Sequence, residues 1–336
     1  MLKQLDIDLS SKCNLRCSFC HLSFFKPKKS LSMTYEYFHK NITPSLHNIE
    51  KLTLFSKYEP LACKDFLPIF KEIIQYDIET YFSTNGILLT DETIDVLVGN
   101  LDYLTISITG FTVDRYSKYM GGNHFETVCK NLKKLQDKKI LKKTNLPKLR
   151  ISTVAMLDTL EDLKAAIDLV DFYDIEEGLQ VTSLKSFGDD FKGRMALSNI
   201  EIFDKKIEEA REYSDSVGVK FYFQGDSIGE NIENTYKMGH KHCSMPWYRM
   251  SIQPNGDVYP CPVASNPIGN MNTESIDEIW NSNSMNSFRK GVNSIEEMNS
   301  DCLKCSHCRH KSLTSKVAND FTDKGQYVFG MNRKGK

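Results

Sequence analysis

Cysteine carries most of the chemistry that can be read from this chain of 336 residues. Eight of its ten cysteines fall into two groups: Cys13, Cys17 and Cys20 near the start, and Cys243, Cys261, Cys302, Cys305 and Cys308 near the end, with Cys63 and Cys129 standing apart. In a reducing compartment thiols have few reasons to cluster other than metal or redox chemistry. The first group sits in LDIDLSSKCNLRCSFCHLSFF, where a strand-like run leads at once into cysteines separated by three and then two residues. Such a loop can wrap three thiolates around one compact centre. Structural zinc closes with four ligands, so three thiolates fit better an open centre whose last position is filled from outside. A [4Fe-4S] cluster with one free iron meets that description. Two other readings use the same residues: ordinary thiols in a loop, or zinc completed by His21.

In the second group twelve residues separate Cys243 from Gly256 and four more precede Cys261, while CLKCSHC supplies Cys302, Cys305 and Cys308. Asn255-Gly256 lies between apolar runs and predicts a hairpin that folds the chain back so that distant thiolates can converge. CLKCSHCRH also sets His307 and His310 beside thiolates, so a zinc ribbon competes with an iron-sulfur site, and ligand softness alone does not separate them.

The elements that must position these groups alternate from residue 4 to about 225. Strand-like runs fall at 4–10, 51–56, 78–84, 101–109, 148–156 and 179–184. Amphipathic stretches such as 66–76 and 126–136 lie between them, which is the pattern of six βα units around a parallel sheet. A further strand is expected at 219–224, a hairpin at 250–263 and a short helix at 275–280. The composition shifts near residue 230. The expected domains are therefore 1–230, 231–319 and a mobile cationic tail, 320–336.

Directly after the first strand, CNLRCSFC resembles the radical S-adenosylmethionine (radical SAM) signature Cys-x3-Cys-x-aromatic-Cys, with Phe19 at the aromatic position. The resemblance implies that Cys13, Cys17 and Cys20 hold three irons of a [4Fe-4S] cluster and that S-adenosylmethionine chelates the fourth. One electron then cleaves the cofactor to methionine and a 5′-deoxyadenosyl radical, which abstracts a substrate hydrogen. LFSKYEP, after the second strand, is similar to the family's Gly-Gly-Glu-Pro element. Glu59 would accept the cofactor ammonium, while Lys57 and Tyr58 replace the glycines. STNGILLT, containing Asn85, and SITG, containing Ser107, resemble further cofactor-contacting segments at strand ends, with Thr109 in place of the family's Asp. Arg150 and Arg115 are the candidates for the cofactor carboxylate.

The second group resembles the Cys-x(9 to 15)-Gly-x4-Cys opening of SPASM and twitch domains. Five cysteines are fewer than a complete SPASM set, so the resemblance implies one auxiliary [4Fe-4S] cluster, held by Cys243, Cys261, Cys302 and Cys305, with Cys308 as a substitute or a free thiol. The implied fold is α/β, a partial (β/α)6 TIM-like barrel with a small C-terminal twitch/SPASM-like domain.

Charge balance, 43 Lys plus Arg against 44 Asp plus Glu, argues against nucleic acid as partner. No apolar run reaches the roughly 18 residues of a membrane span, and a cytoplasmic protein is expected. The expected reaction is oxidation (dehydrogenation) of a small biosynthetic substrate, with the auxiliary cluster accepting an electron and a flavodoxin- or ferredoxin-type donor supplying one. With no room before the first strand for a leader-peptide domain, an aminosugar or cyclitol is preferred over a peptide. Epimerisation, with Cys63 as hydrogen donor, and peptide modification are the alternatives within the family. A non-catalytic zinc- and ligand-binding protein is the alternative of another class.

Overall fold

The structure, a computed structural model, describes residues 1–24, 30–55, 57–184, 199–224, 243–292 and 299–303. The chain divides into two compact units: Met1–Leu149 together with residues 243–303, and the described residues from Arg150 to 224.

The first unit opens with β1 (Gln4–Ile7), the cysteine loop, a single turn α1 (His21–Phe24) and α2 (Tyr35–Asn41). It continues through β2 (Lys51–Thr53), α3 (Phe66–Ile73), β3 (Glu79–Thr84), α4 (Asp91–Leu97), β4 (Tyr103–Ser107), α5 (Val113–Met120) and α6 (Phe125–Lys142). β1, β2, β3 and β4 pair in that order and run parallel. Parallel strands are covered on both faces and so read as near-continuous apolar runs. Here Leu5, Ile7, Leu52, Phe82, Leu104 and Ile106 are fully buried. On α3, Phe66, Ile69, Phe70 and Ile73 fall at helical spacing and form its buried face. Thr90 and Thr112 accept backbone N–H bonds at the starts of α4 and α5, which fixes where each helix leaves its strand.

β5 (Lys148–Ala155) leads into the second unit, which continues with α7 (Leu163–Phe172), β6 (Leu179–Ser183), α8 (Ile200–Val217) and β7 (Phe221–Gln224), with β5, β6 and β7 parallel. The chain then re-enters the first unit as β8 (Arg249–Ile252), β9 (Asp257–Tyr259), β10 (Gly269–Asn270), α9 (Ile276–Trp280), α10 (Asn283–Lys290) and α11 (Ser300–Leu303).

β8 extends the parallel sheet on the free side of β1, from Gln4 opposite Arg249 to Ile7 opposite Ile252. It then turns into antiparallel β9 at the expected Asn255-Gly256 turn. Gly256 has φ +88°, and a Cβ there would collide with the Tyr37 hydroxyl, so the turn takes glycine. Two buried carboxylates lock β8 to β1. Asp6 receives both Nε, at 2.8 Å, and Nη2 of Arg249, and Asp8 receives Nε2 of Gln253 at 2.7 Å. The expected runs thus appear as strands, with several shorter than their apolar stretches because the ends turn into loops that carry the site. The composition shift near 230 and the tail at 320–336 lie outside the described residues. Among the described residues no helix is long and apolar enough to cross a membrane.

Candidate active site

The loop between β1 and α1 carries Cys13, Cys17 and Cys20, all partly exposed. The backbone N–H of Cys20 donates to the Cys17 carbonyl at 3.0 Å, and the Ser23 hydroxyl donates to the same carbonyl at 2.7 Å, so the second and third cysteines ride on one tight turn. α5 clamps the loop from one side: the Ser18 N–H donates to the Tyr119 carbonyl at 2.8 Å, and Cys17 Sγ lies 3.8 Å from Met120 Sδ. The helix ends at Gly121 with φ +81°, where a Cβ would stand 2.5 Å from the Arg16 carbonyl oxygen. Only glycine allows this approach.

Polar groups surround the sulfurs. The Leu15 N–H donates to Cys13 Sγ at 3.4 Å, Asn85 Nδ2 lies 3.9 Å from the same sulfur, and His21 Nδ1 lies 3.7 Å from Cys20 Sγ. Among the described residues no three His, Cys, Asp or Glu side chains close on a single ion position. The thiols nevertheless feel one another. Burial raises the Cys13 pKa to about 11 and drives that of Cys17 higher still, with Cys20 and Cys13 adding to the effect on Cys17. Burial also raises Cys20. Thiols held protonated by desolvation become thiolates when a cation compensates them, so this loop suits a metal centre that displaces protons as it binds.

Beyond the loop, Glu59 is only 3% exposed at the end of the β2 segment. Its carboxylate accepts the Leu61 N–H at 3.1 Å, the Thr84 hydroxyl at 2.7 Å and the Asn85 N–H at 2.9 Å. Burial still outweighs those bonds and lifts its pKa to about 7. Asn85 also donates to Asn14 Oδ1 at 2.7 Å, tying the end of β3 to the cysteine loop. The structure therefore brings together the cysteine loop, Glu59 and Asn85. Ser107 sits on the neighbouring strand end, its hydroxyl 3.1 Å from that of Ser83. Phe19 is half-buried within the cysteine loop.

Two candidates have their polar groups engaged elsewhere. Cys63 is 4% exposed; its thiol donates to the Met33 carbonyl at 3.3 Å and accepts from the Ser32 hydroxyl at 3.4 Å. Arg150, in the second unit, donates to Gln180 at 3.2 Å, lies 3.6 Å from Glu177 and covers the Tyr222 ring.

Of the later cysteines, Cys243, Cys261 and Cys302 are described and partly exposed, whereas Cys305 and Cys308 lie outside the described residues. Cys261 follows β9. The Ser265 N–H donates to Asp301 at 2.9 Å, which joins the turn after Cys261 to α11, the helix carrying Cys302.

With this geometry in hand, comparison with known proteins decides the family. The model described as the radical SAM superfamily matches residues 7–170. Those residues form a radical SAM domain. A second model, the SPASM iron-sulfur cluster-binding domain, matches residues 243–309.

A probable GTP 3′,8-cyclase of Methanocaldococcus jannaschii is 26% identical over 77% of this chain and 85% of its own. Proteins of the same name from Methanococcus maripaludis are matched over less of their length, 54% for strain C5. A PqqA peptide cyclase of Granulibacter bethesdensis is 22% identical over 81% of this chain and 72% of its own. Among solved structures, Streptococcus suis SuiB aligns with a TM-score of 0.67 at 17% identity, covering 91% of this chain and 71% of SuiB.

The α/β fold with its parallel sheet and C-terminal SPASM domain is thus that of radical SAM enzymes. Radical SAM domains bind a [4Fe-4S] cluster together with S-adenosylmethionine, and SPASM domains bind auxiliary iron-sulfur clusters. The residues fit such groups: sulfur donors on one loop, polar hydrogens directed at them, and a buried carboxylate nearby. In this radical SAM domain the Tyr58 ring, standing where the family has glycine, packs edge-on to His21 at 6.0 Å, so the replacement fills space beside the residue that follows Cys20. Sequence reading missed α5. Met120 lies against Cys17 and Gly121 against the Arg16 carbonyl, and the only signal for them was a glycine pair after an amphipathic stretch.

Proposed function

We propose that this chain is a radical SAM enzyme that abstracts a hydrogen atom from a C–H bond of a peptide substrate and completes a two-electron oxidation of it. In this reading Cys13, Cys17 and Cys20 hold the first cluster. Glu59 takes the ammonium of S-adenosylmethionine, and Asn85, Ser107 and Phe19 bound the same cofactor. When bound, the two groups supply one-electron cleavage of S-adenosylmethionine at the first centre and an electron acceptor at the second. Cys243, Cys261, Cys302, Cys305 and Cys308 provide the thiols for the second.

The observation that carries the reading is that Asn85 joins the cysteine loop, at Cys13 and Asn14, to the buried Glu59 carboxylate at adjacent strand ends of a radical SAM fold. For the substrate class, support comes from two similar proteins, a PqqA peptide cyclase and SuiB, the latter solved bound to the precursor peptide SuiA. The chain's own task is to orient one C–H bond, exclude water and keep the cysteine loop rigid. A flavodoxin- or ferredoxin-type protein is the proposed electron source.

The match to probable GTP 3′,8-cyclases keeps a second reading, a small-molecule substrate undergoing dehydrogenation or cyclisation. Anaerobic reconstitution tests the core claim. The enzyme should take up about eight irons, counted as two four-iron clusters, and form 5′-deoxyadenosine only with reductant. Zinc uptake without cofactor cleavage would overturn the enzyme reading. Candidate peptides and nucleotides are then compared by mass spectrometry for loss of two hydrogens, and a product from the nucleotide alone would replace the peptide assignment.

A further inference from the structure

Each thiol of the first loop has a different neighbour. Cys13 receives the Leu15 N–H, with Asn85 Nδ2 beyond it, and Cys20 lies beside His21 Nδ1. Cys17 meets the Met120 thioether, which has no proton to give. Four residues before Met120, on the same face of α5, stands Tyr116. Tyr116 is completely buried, its ring tilted against Phe125 at 5.8 Å, and among the described residues its hydroxyl has no hydrogen-bond partner. Burial opposes its ionisation first, and then Cys17, Cys129, Cys13 and Glu59 do, so the cysteine loop acts on this hydroxyl. A buried O–H without an acceptor loses its hydrogen bond to water and gains none in return. When a native chain keeps one, an ion, a ligand or a water completing it is the first explanation to test.

We propose that Tyr116 is a hydrogen-bond donor to the first cluster, directing its O–H at the Cys17 thiolate or the sulfide beside it. The inference rests on the proposed assignment of Cys13, Cys17 and Cys20 as ligands. Tyr116 is then a positioning residue with an electronic effect. A donor on a cluster sulfur stabilises the added electron and raises the reduction potential, and it anchors α5 against the loop once the metal is in place.

Tyr116→Phe removes one oxygen and keeps the ring. The full-length enzyme, reconstituted anaerobically, is followed by redox titration of the electron paramagnetic resonance signal that changes on adding S-adenosylmethionine, which marks the first cluster. The expected result is reduction about tenfold less favourable, a shift of about 59 mV to more negative potential for one electron. One exchangeable-proton coupling, seen in wild type by exchange into deuterated water, should also be lost. Both readings are taken per cluster, so lower iron loading does not blur them. A second arm compares melting temperatures. With clusters removed, Tyr116→Phe should equal or exceed wild type because it deletes an unsatisfied hydroxyl, and with clusters loaded it should fall below. Unchanged potential and coupling, or the same melting change in both states, would show a hydroxyl with no bond to the cluster. Absence of any S-adenosylmethionine-responsive [4Fe-4S] signal in wild type would instead remove the ligand assignment, and this inference with it.

Discussion

Glu59 concentrates the residue-scale argument, because burial and three donated hydrogen bonds pull its pKa in opposite directions and burial wins, setting it at about 7. The folded value exceeds the ordinary 4.5, so the ligand-free folded chain keeps a proton that the unfolded chain releases. This contribution to stability is full below about pH 4.5 and is lost as pH rises through about 7. A ligand ammonium needs the ionised carboxylate. Affinity for S-adenosylmethionine, measured by calorimetry, should therefore fall about tenfold for each pH unit below the midpoint. Glu59→Gln should abolish that dependence and weaken binding at every pH; a variant with the wild-type pH profile would assign the titration to another group. Glu59 was legible from its motif despite the altered neighbours Lys57 and Tyr58, because a carboxylate beside proline at a strand end is a local signal. Tyr116 was not legible. A buried tyrosine on a helix reads like any core aromatic, and only its unpartnered hydroxyl sets it apart.

At the scale of elements, two contacts decide how the cysteine loop is held. Gly121 closes α5 in the left-handed region against the Arg16 carbonyl, and Gly121→Ala adds both backbone strain and a collision. The expected cost is about 1–3 kcal/mol. Reduced iron uptake should accompany it, because Ser18 and Met120 shift with the helix end; thermal melting and iron analysis check the pair. The second contact is Arg249 on Asp6, which joins β8 to β1 through a carboxylate sealed from solvent. Arg249→Ala leaves that charge unpaired and should cost about 3–5 kcal/mol, whereas the double change Asp6→Asn with Arg249→Gln should recover part of the loss in urea melts. The strands were legible because buried parallel strands are apolar throughout. The placement of β8 beside β1 was not, since it links residues 243 positions apart and no local pattern records such a pairing.

For the whole molecule, the proposed division of work between the two cysteine groups is testable without knowing the substrate. Among the described residues all six clustered cysteines lie on the first compact unit: Cys13, Cys17 and Cys20 follow β1, Cys243 precedes the hairpin that extends β1's sheet, and Cys261 and Cys302 follow it. Spacing alone revealed the groups. It left zinc and iron-sulfur equal at the second, because thiolates serve both metals and the discriminating information is the company of the first. Cys17→Ala should remove the first cluster's iron and abolish 5′-deoxyadenosine formation entirely. Cys261→Ala should lose about half of the iron, counted as one of two four-iron clusters, and retain reductant-dependent cofactor cleavage while failing to release oxidised product. Cofactor cleavage that disappears equally in both variants would mean that the later cysteines support the first centre structurally. Full product formation by Cys261→Ala would mean that the electron leaves the substrate by another route, and the acceptor role of the second centre would have to be withdrawn.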